Sequence, residues 1–308
     1  MTPRISTIHH HHFGWNNALP PQHTAQPGEA LEFVIQDASG GQIGPGSTAA
    51  DVAAFDFART NPVTGPVYID GAQPGDVLVV DILDFQEGDW GWTSLIPGFG
   101  LLAADFTDPW LHLSRYDRAH VQFTPEIRIP TRPFPGTIGV ALAERGLHSV
   151  VPPRRVGGNL DIRDLTRGAR LYLPVEVEGA LFSVGDTHAC QGDGEVCGTA
   201  VETSMTVQLR FDLRKGMSLP GPQFELPASV QPEAAGGHYA TTGIGPDLFL
   251  AAQDAIRAMI DHLGREYALS PELAYALCSV AVNLKVSELV DQPNWVVSAY
   301  LPTGIFGR

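Results

Sequence analysis

The chain has 308 residues, 44% of them apolar and 17% charged, with 33 glycines and 25 prolines. That length admits one large or two small domains with an ample core, and the composition excludes general disorder and collagen-like repeats. Nineteen Lys and Arg against 34 Asp and Glu leave a net charge of −15, a surface that repels nucleic-acid phosphates and anionic membrane faces.

The N-terminal MTPRISTIHHHH lacks the apolar stretch of a signal peptide, and no apolar run approaches the ~18 residues of a membrane-spanning helix. Cys190, Cys197 and Cys278 make an odd set with no disulfide framework, which fits a reducing cytoplasm. The expectation is a cytoplasmic protein with no membrane or nucleic-acid partner. The His9–His12 tract runs straight into Phe13-Gly14-Trp15 and is read as native sequence, one of its histidines being a candidate to reach a site.

Strands dominate the first 220 residues. Gln26-Pro27-Gly28-Glu29 and Gln73-Pro74-Gly75-Asp76 each read as a tight turn feeding a strand, because Pro presets φ at one corner and Gly allows φ > 0 at the next. The strands they feed are 31–35 and 76–83, and 171–178 is a third candidate. From Met205 to Leu213, apolar and polar residues alternate strictly, the signature of a strand with one wet face. Helical spacing appears only late, at Phe249, Ala252, Ile256, Met259 and Leu263, with Pro246 near the start and Gly264 as the expected stop. Ser270-Pro271-Glu272 opens a second predicted helix to about Leu284, and Trp295 to Leu301 reads as a closing strand. The fold class is mainly β: a β-sandwich-like body with additional β structure and a small C-terminal α/β portion. It is taken as one unit over 1–308, β-rich to 220 and α/β from 221.

Chemistry concentrates in GDTHACQGDGEVCGTAVE, residues 185–202, where Asp186, His188, Gln191, Asp193, Glu195, Cys197 and Glu202 stand among four glycines. In an extended segment Asp186 and His188 point to one face, and a carboxylate with an imidazole suits Zn²⁺. Glu195 follows as a base or acid for water. The same residue types are ordinary turn-formers, and the oxygen-rich QGDGE stretch also resembles a Ca²⁺ site without the spacing of an EF-hand. Upstream, GGNLDIRD offers Asn159, Asp161 and Arg163 on one strand face, Asp161 being a further ligand if its strand pairs with that of His188. Cys197 with Glu195 and Lys285 would make a thiol-amidase set, although a cysteine is usually a small core residue and Lys285, in NLKVSELV, reads as a helical residue paired with Glu288. G-x-S-x-G, S-x-x-K, GxGxxG and Walker motifs are absent, so hydrolase-elbow and nucleotide readings have no anchor.

These motifs, with WNNALPP, NPVTGPVYIDGAQPGDVLVVDIL, GWTSLIPGFGLL and PFPGTIGVA before them and CSVAVNLKVSELVDQPNWVVSAYLP after, closely resemble the acetamidase/formamidase family over about residues 12–305. WNN after residue 14 is similar to the acetamidase-like branch. The resemblance implies a homo-oligomeric hydrolase that turns short aliphatic amides into carboxylate and ammonia with a metal-activated water. Asp161, Asp186 and His188 fall on motif positions as ligands of a divalent metal, Zn²⁺ first and Ca²⁺ as a second, structural ion. Glu195 is the implied acid–base group, and Asn159 and Gln191 are candidates to bind the small-molecule amide. A thiol amidase and a non-catalytic, small-ligand-binding β-sandwich are the alternatives.

Overall fold

The alternation at residues 205–213 becomes the strand Met205–Arg214, which buries Met205, Val207, Leu209 and Phe211 and exposes Arg210 and Asp212. The structure is a computed structural model that describes residues 5–228, 237–271, 274, 277–278 and 281–306. Met205–Arg214 lies antiparallel between Ala30–Ile35 and Val77–Gln86. Together these belong to a nine-stranded sheet that continues through Arg170–Pro174, Gln223–Leu226, His238–Gly245 and Trp295–Pro302 to an edge strand, Asn283–Glu288. A six-stranded sheet holds Gly157–Asn159, Phe134–Gly139, Phe182–His188, Val63–Ile69 and His11–His12 in that order, with His23–Ala25 also on Val63–Ile69. A third sheet of four strands runs from Arg128–Pro130 to Trp90–Leu95.

The first two sheets face each other across the main core, as in a sandwich. Phe33 and Phe211 from one sheet meet Phe182 from the other edge-on, with centroids 5.7 Å and 4.9 Å from it. Strand Val77–Gln86 shows how both faces of the large sheet are used: Leu78 and Val80 enter the sandwich core, while Val77 and Val79 pack with Tyr172, Tyr239 and the helix Leu248–Tyr267. That helix lies close on the sheet because Gly243 has no side chain; a Cβ there would fall 1.8 Å from the Ala251 carbonyl oxygen.

Both Pro-Gly turns form as read. Gly28 and Gly75 have φ of 89° and 91°, and the Glu29 and Asp76 amides bond back to the carbonyls of Gln26 and Gln73. Three elements differ from expectation. The helix starts from Asp247, whose carboxylate accepts from the Leu250 amide, but it runs past Gly264 to Tyr267 and stops at a left-handed Ala268. Burial of Leu263 and the stacking of Tyr267 on Phe306 at 3.7 Å favour the extra turn. The strand expected to reach 178 ends at Pro174, which has no N–H to continue a ladder. Part of the helix predicted from Ser270 lies outside the described residues; Pro271, Ala274, Leu277, Cys278 and Ala281 are helical, but Leu284 and Lys285 belong to the strand Asn283–Glu288.

His11 and His12 are built into the six-stranded sheet opposite Thr64 and Val63. His12 is buried, with Nδ1 at the Gly14 carbonyl (2.8 Å) and Nε2 at the Ser183 hydroxyl (2.9 Å), so the tract is structural and does not join the carboxylate cluster below. Among the described residues, no helix is long and apolar enough to cross a membrane.

Burial lowers His12 to about 4 and His262, stacked on Tyr239 at 3.5 Å, to about 3. Both folded values lie below the unfolded ~6.5, so the unfolded chain takes up these protons first and stability is lost as pH falls from ~6.5. His262→Phe removes one such group. Between pH 7.5 and pH 5, urea titrations are expected to show the stability difference between variant and parent shifting by about 2 kcal/mol in favour of the variant.

Candidate active site

Phe134–Gly139 lies between Gly157–Asn159 and Phe182–His188 and pairs with both. The direct pairing expected between the Asp161 and His188 segments therefore does not occur. An intervening strand carries Gly136 at the crossing point, and the missing side chain is what lets the two groups meet. A Cβ on Gly136 would lie 2.4 Å from Asp161 Oδ1, 2.7 Å from Asp186 Oδ2 and 2.8 Å from His188 Cε1.

Local backbone aims each carboxylate. Asp161 has φ 46° and its amide bonds the Gly136 carbonyl. It sits beyond the end of its short strand, so the shared strand face with Arg163 is not formed. Asp186 has φ 55°, Glu195 46° and Asn61 53°, a left-handed conformation that Asp and Asn adopt occasionally and Glu rarely. Asp186 is consequently not extended, and its meeting with His188 (Oδ1 to Nε2, 3.1 Å) comes from this twist and not from strand alternation. Phe134 packs edge-on against the His188 ring at 4.9 Å.

The ligand atoms of Asp161, Asp186 and His188 lie within 4.8 Å of one another, as do those of His188, Glu195 and Glu202, and those of Asp161, Glu195 and Asp291. All six residues are buried. Four of the sequence-predicted residues are thus brought together, and Glu202 and Asp291 join them. Glu202 Oε2 is 3.1 Å from His188 Nε2, and its Oε1 accepts from the Ala200 amide. Asn159 donates to Asp291 Oδ2 at 2.6 Å and accepts from Thr137. Gln191 donates to the Asp161 carbonyl at 2.9 Å, fixing that residue's twist from behind.

Electrostatics follow from the crowding. Burial, then the Asp186 charge, hold the Asp161 carboxyl well above its ordinary range, with His188 opposing. Burial and Asp161 do the same to Glu195, and burial and Asp161 to Asp291. Burial raises Glu202 to about 7 against His188, and Glu288 to about 7 against the Asp291 and Val290 amides. Burial works to lower the His188 pKa, but Glu202 and Asp186 outweigh it and hold it well above 6.5.

Asp186, Glu195, Glu202 and Asp291 line a cavity of about 290 Å³ together with Asn61, Asn159 and Thr199 and with the apolar side chains of Ala38, Phe55, Trp92, Ile96 and Phe99. A second cavity of about 400 Å³ lies across the glycine loop, lined by Gln191, Cys197, Arg132 and Arg163. Cys197 bonds the Thr199 carbonyl (3.3 Å). Lys285, far from pairing with Glu288 on a helix, binds Asp164 at 2.8 Å and sits over the Tyr300 ring. Among the described residues, no hydrogen bond or ion pair joins Cys197, Glu195 and Lys285. Cys190 is buried in the main core, its thiol pushed up to about 11 by burial.

A buried His-carboxylate cluster thus borders a largely apolar cavity in a β-sandwich. The chain belongs to the acetamidase/formamidase family, whose model matches residues 3–150 and 141–308, and it is an amidohydrolase. It is 28% identical to a formamidase of Methylophilus methylotrophus over 96% of this chain and 89% of that one. It is 32% identical to an acetamidase of Mycolicibacterium smegmatis over 67% of this chain and 66% of that one. The crystal structure of an acetamidase from Bacillus halodurans superposes with a TM-score of 0.87 at 32% identity, covering 96% of each chain.

Gly136→Ala forces the Asp161 and Asp186 carboxylates to move by about 1 Å, a displacement of the order that costs ~10²-fold in rate. The expected outcome is that loss in kcat/KM for acetamide with a circular dichroism spectrum like the parent's.

Proposed function

We propose that the chain hydrolyses acetamide, formamide and related linear amides to a carboxylate and ammonia, with a cation-assisted water as nucleophile. The observation that carries this reading is the convergence of buried ligand atoms at one point: both Asp161 carboxylate oxygens, which have no hydrogen-bond partner, beside Asp186 Oδ1 and Glu202 Oε2, each 3.1 Å from His188 Nε2. Unpartnered buried charges of like sign are costly, and a cation among them offsets that cost. Asp161, Asp186 and His188 would hold it. One imidazole and carboxylate oxygens suit Zn²⁺, and the remaining oxygens of Glu195, Glu202 and Asp291 suit a second, Ca²⁺-like ion. When bound, such a cation polarises the amide carbonyl and makes water more acidic.

The chain's own groups supply the proton handling. Glu195, raised by burial and by Asp161, is a carboxylate with the basicity to take a proton from water and deliver it to the departing nitrogen. Glu202 holds the His188 ring from the opposite side to Asp161. Asn159 holds Asp291 and Gln191 holds the Asp161 backbone, so both candidates for substrate contact also position the cluster. Free cysteines support a cytoplasmic setting, and exposed Leu101, Leu102, Phe106 and Trp110 support assembly into a homo-oligomer.

The test is ammonia release from acetamide and formamide with elemental analysis before and after chelation. Turnover is expected to vanish with the bound cation and return with Zn²⁺. Asp161→Asn and His188→Ala are expected to lose the cation, Glu195→Gln to lose ~10²–10⁴-fold in kcat, and Cys197→Ser to keep parental turnover. Undiminished activity in protein shown to be cation-free overturns the reading.

A further inference from the structure

The cavity above the carboxylates is larger and more apolar than acetamide needs. Its volume of about 290 Å³ sits at the lower edge of the ~300–1,000 Å³ typical of sites for drug-sized ligands. Acetamide has four non-hydrogen atoms, and at the ~30 Å³ that a water takes in the liquid it fills less than half of that space. Besides the carboxylates, Thr60, Asn61, Asn159 and Thr199 contribute to the lining, and the apolar part is made by Ala38, Phe55, Trp92, Ile96 and Phe99 with Phe57, which is 60% exposed.

This wall is a fixed surface. Trp92 is 1% exposed, its indole N–H donates to Asp37 Oδ1 at 3.0 Å, and Phe55 packs edge-on to it at 6.0 Å. The Trp92 amide and carbonyl exchange hydrogen bonds with those of Glu202, at 2.9 and 2.8 Å. At the other side, the Phe99 ring lies directly over Gly198, where a Cβ would be 2.4 Å from Cδ1. The apolar wall is therefore bonded through an isolated backbone bridge to Glu202 and seated on the loop that carries Glu195, so its distance from the carboxylates is set by the fold.

We infer that the site is built for amides with a bulky apolar acyl group, of about the size of phenylacetamide, whose carboxamide lies on the Asp186–Glu195–Glu202–Asp291 end while the hydrocarbon lies against Phe55, Trp92, Ile96 and Phe99. The inference rests on the amide-hydrolase reading for its chemistry and names the substrate class of that same site. The acyl carbon skeleton takes no part in the proton transfers; the wall contributes by removing apolar surface from water and by orienting the carbonyl. Each methylene buried there strengthens binding about fourfold.

Two readouts separate this inference from the reaction assignment. The first is the Kd of acetamide, butyramide, benzamide and phenylacetamide for cation-free protein, by competition for the quenching of tryptophan fluorescence or by calorimetry. The second is kcat/KM for the same amides with cation-loaded protein. The expected result is a rise of more than tenfold in both affinity and kcat/KM from acetamide to phenylacetamide, and a reduced phenylacetamide-to-acetamide ratio in Phe55→Ala and in Ala38→Leu, which respectively remove and overfill the wall. A flat or reversed order in affinity and kcat/KM overturns the inference even if acetamide is turned over well. Absence of turnover across the series, with the binding order intact, overturns amide hydrolysis and upholds the ligand class.

Discussion

Gathering several carboxylates in one buried volume is the constraint around which this molecule is arranged. Asp161, Asp186, Glu195, Glu202 and Asp291 repel one another and gain nothing from water at that depth. They are held there by covalent and hydrogen-bonded framework: the Gly136 carbonyl on the Asp161 amide, the Ala200 amide on Glu202, the Asn159 side chain on Asp291. Those anchors belong to the six-stranded sheet and to the loop that carries Ala200. The large hydrophobic core is thus what keeps an electrostatically unfavourable cluster from flying apart, and the strength of that frame is what the chemistry draws on.

The arrangement also explains why the polar end and the apolar end of the cavity do not compete. Trp92 and Glu202 share a pair of backbone hydrogen bonds, yet their side chains serve opposite purposes, one an apolar wall anchored by Asp37, the other a carboxylate facing His188.

Much of this was legible in the sequence, and the part that was not has a physical reason. The β-rich body came from alternation at 205–213 and from two Pro-Gly turns, signals that depend on neighbours in the chain. It was the family resemblance of both segments that marked Asp161, Asp186, His188 and Glu195 as site residues; what drew attention first was a separate upstream segment for Asp161 and a cluster crowded between glycines for the other three. Glu202 lay in the same cluster but had no spacing to mark it, since its partner is His188 across a bridge and not along a strand. Asp291 and Glu288 sit more than ninety residues away from Glu195 in sequence and reach the site only because the edge strand Asn283–Glu288 meets the glycine loop at Gly194. The same strand overrode the helical reading of NLKVSELV: in a sheet edge, Lys285 faces Asp164 and Tyr300, not Glu288. Gly136 was invisible for the simplest reason. What it contributes is an empty space, and a sequence registers side chains.

The left-handed backbone at Asp161, Asp186 and Glu195 has a consequence for how such a site can change over time. In a regular strand, the direction of a side chain is dictated by the pleat, and altering it means sliding the whole register and turning every neighbour over. Where a residue has left the pleat, its direction is set by its own two dihedrals, so one carboxylate can be re-aimed while the ladder on either side stays in place. The sandwich supplies a constant chassis, and the three twisted residues act as separately adjustable mounts on it.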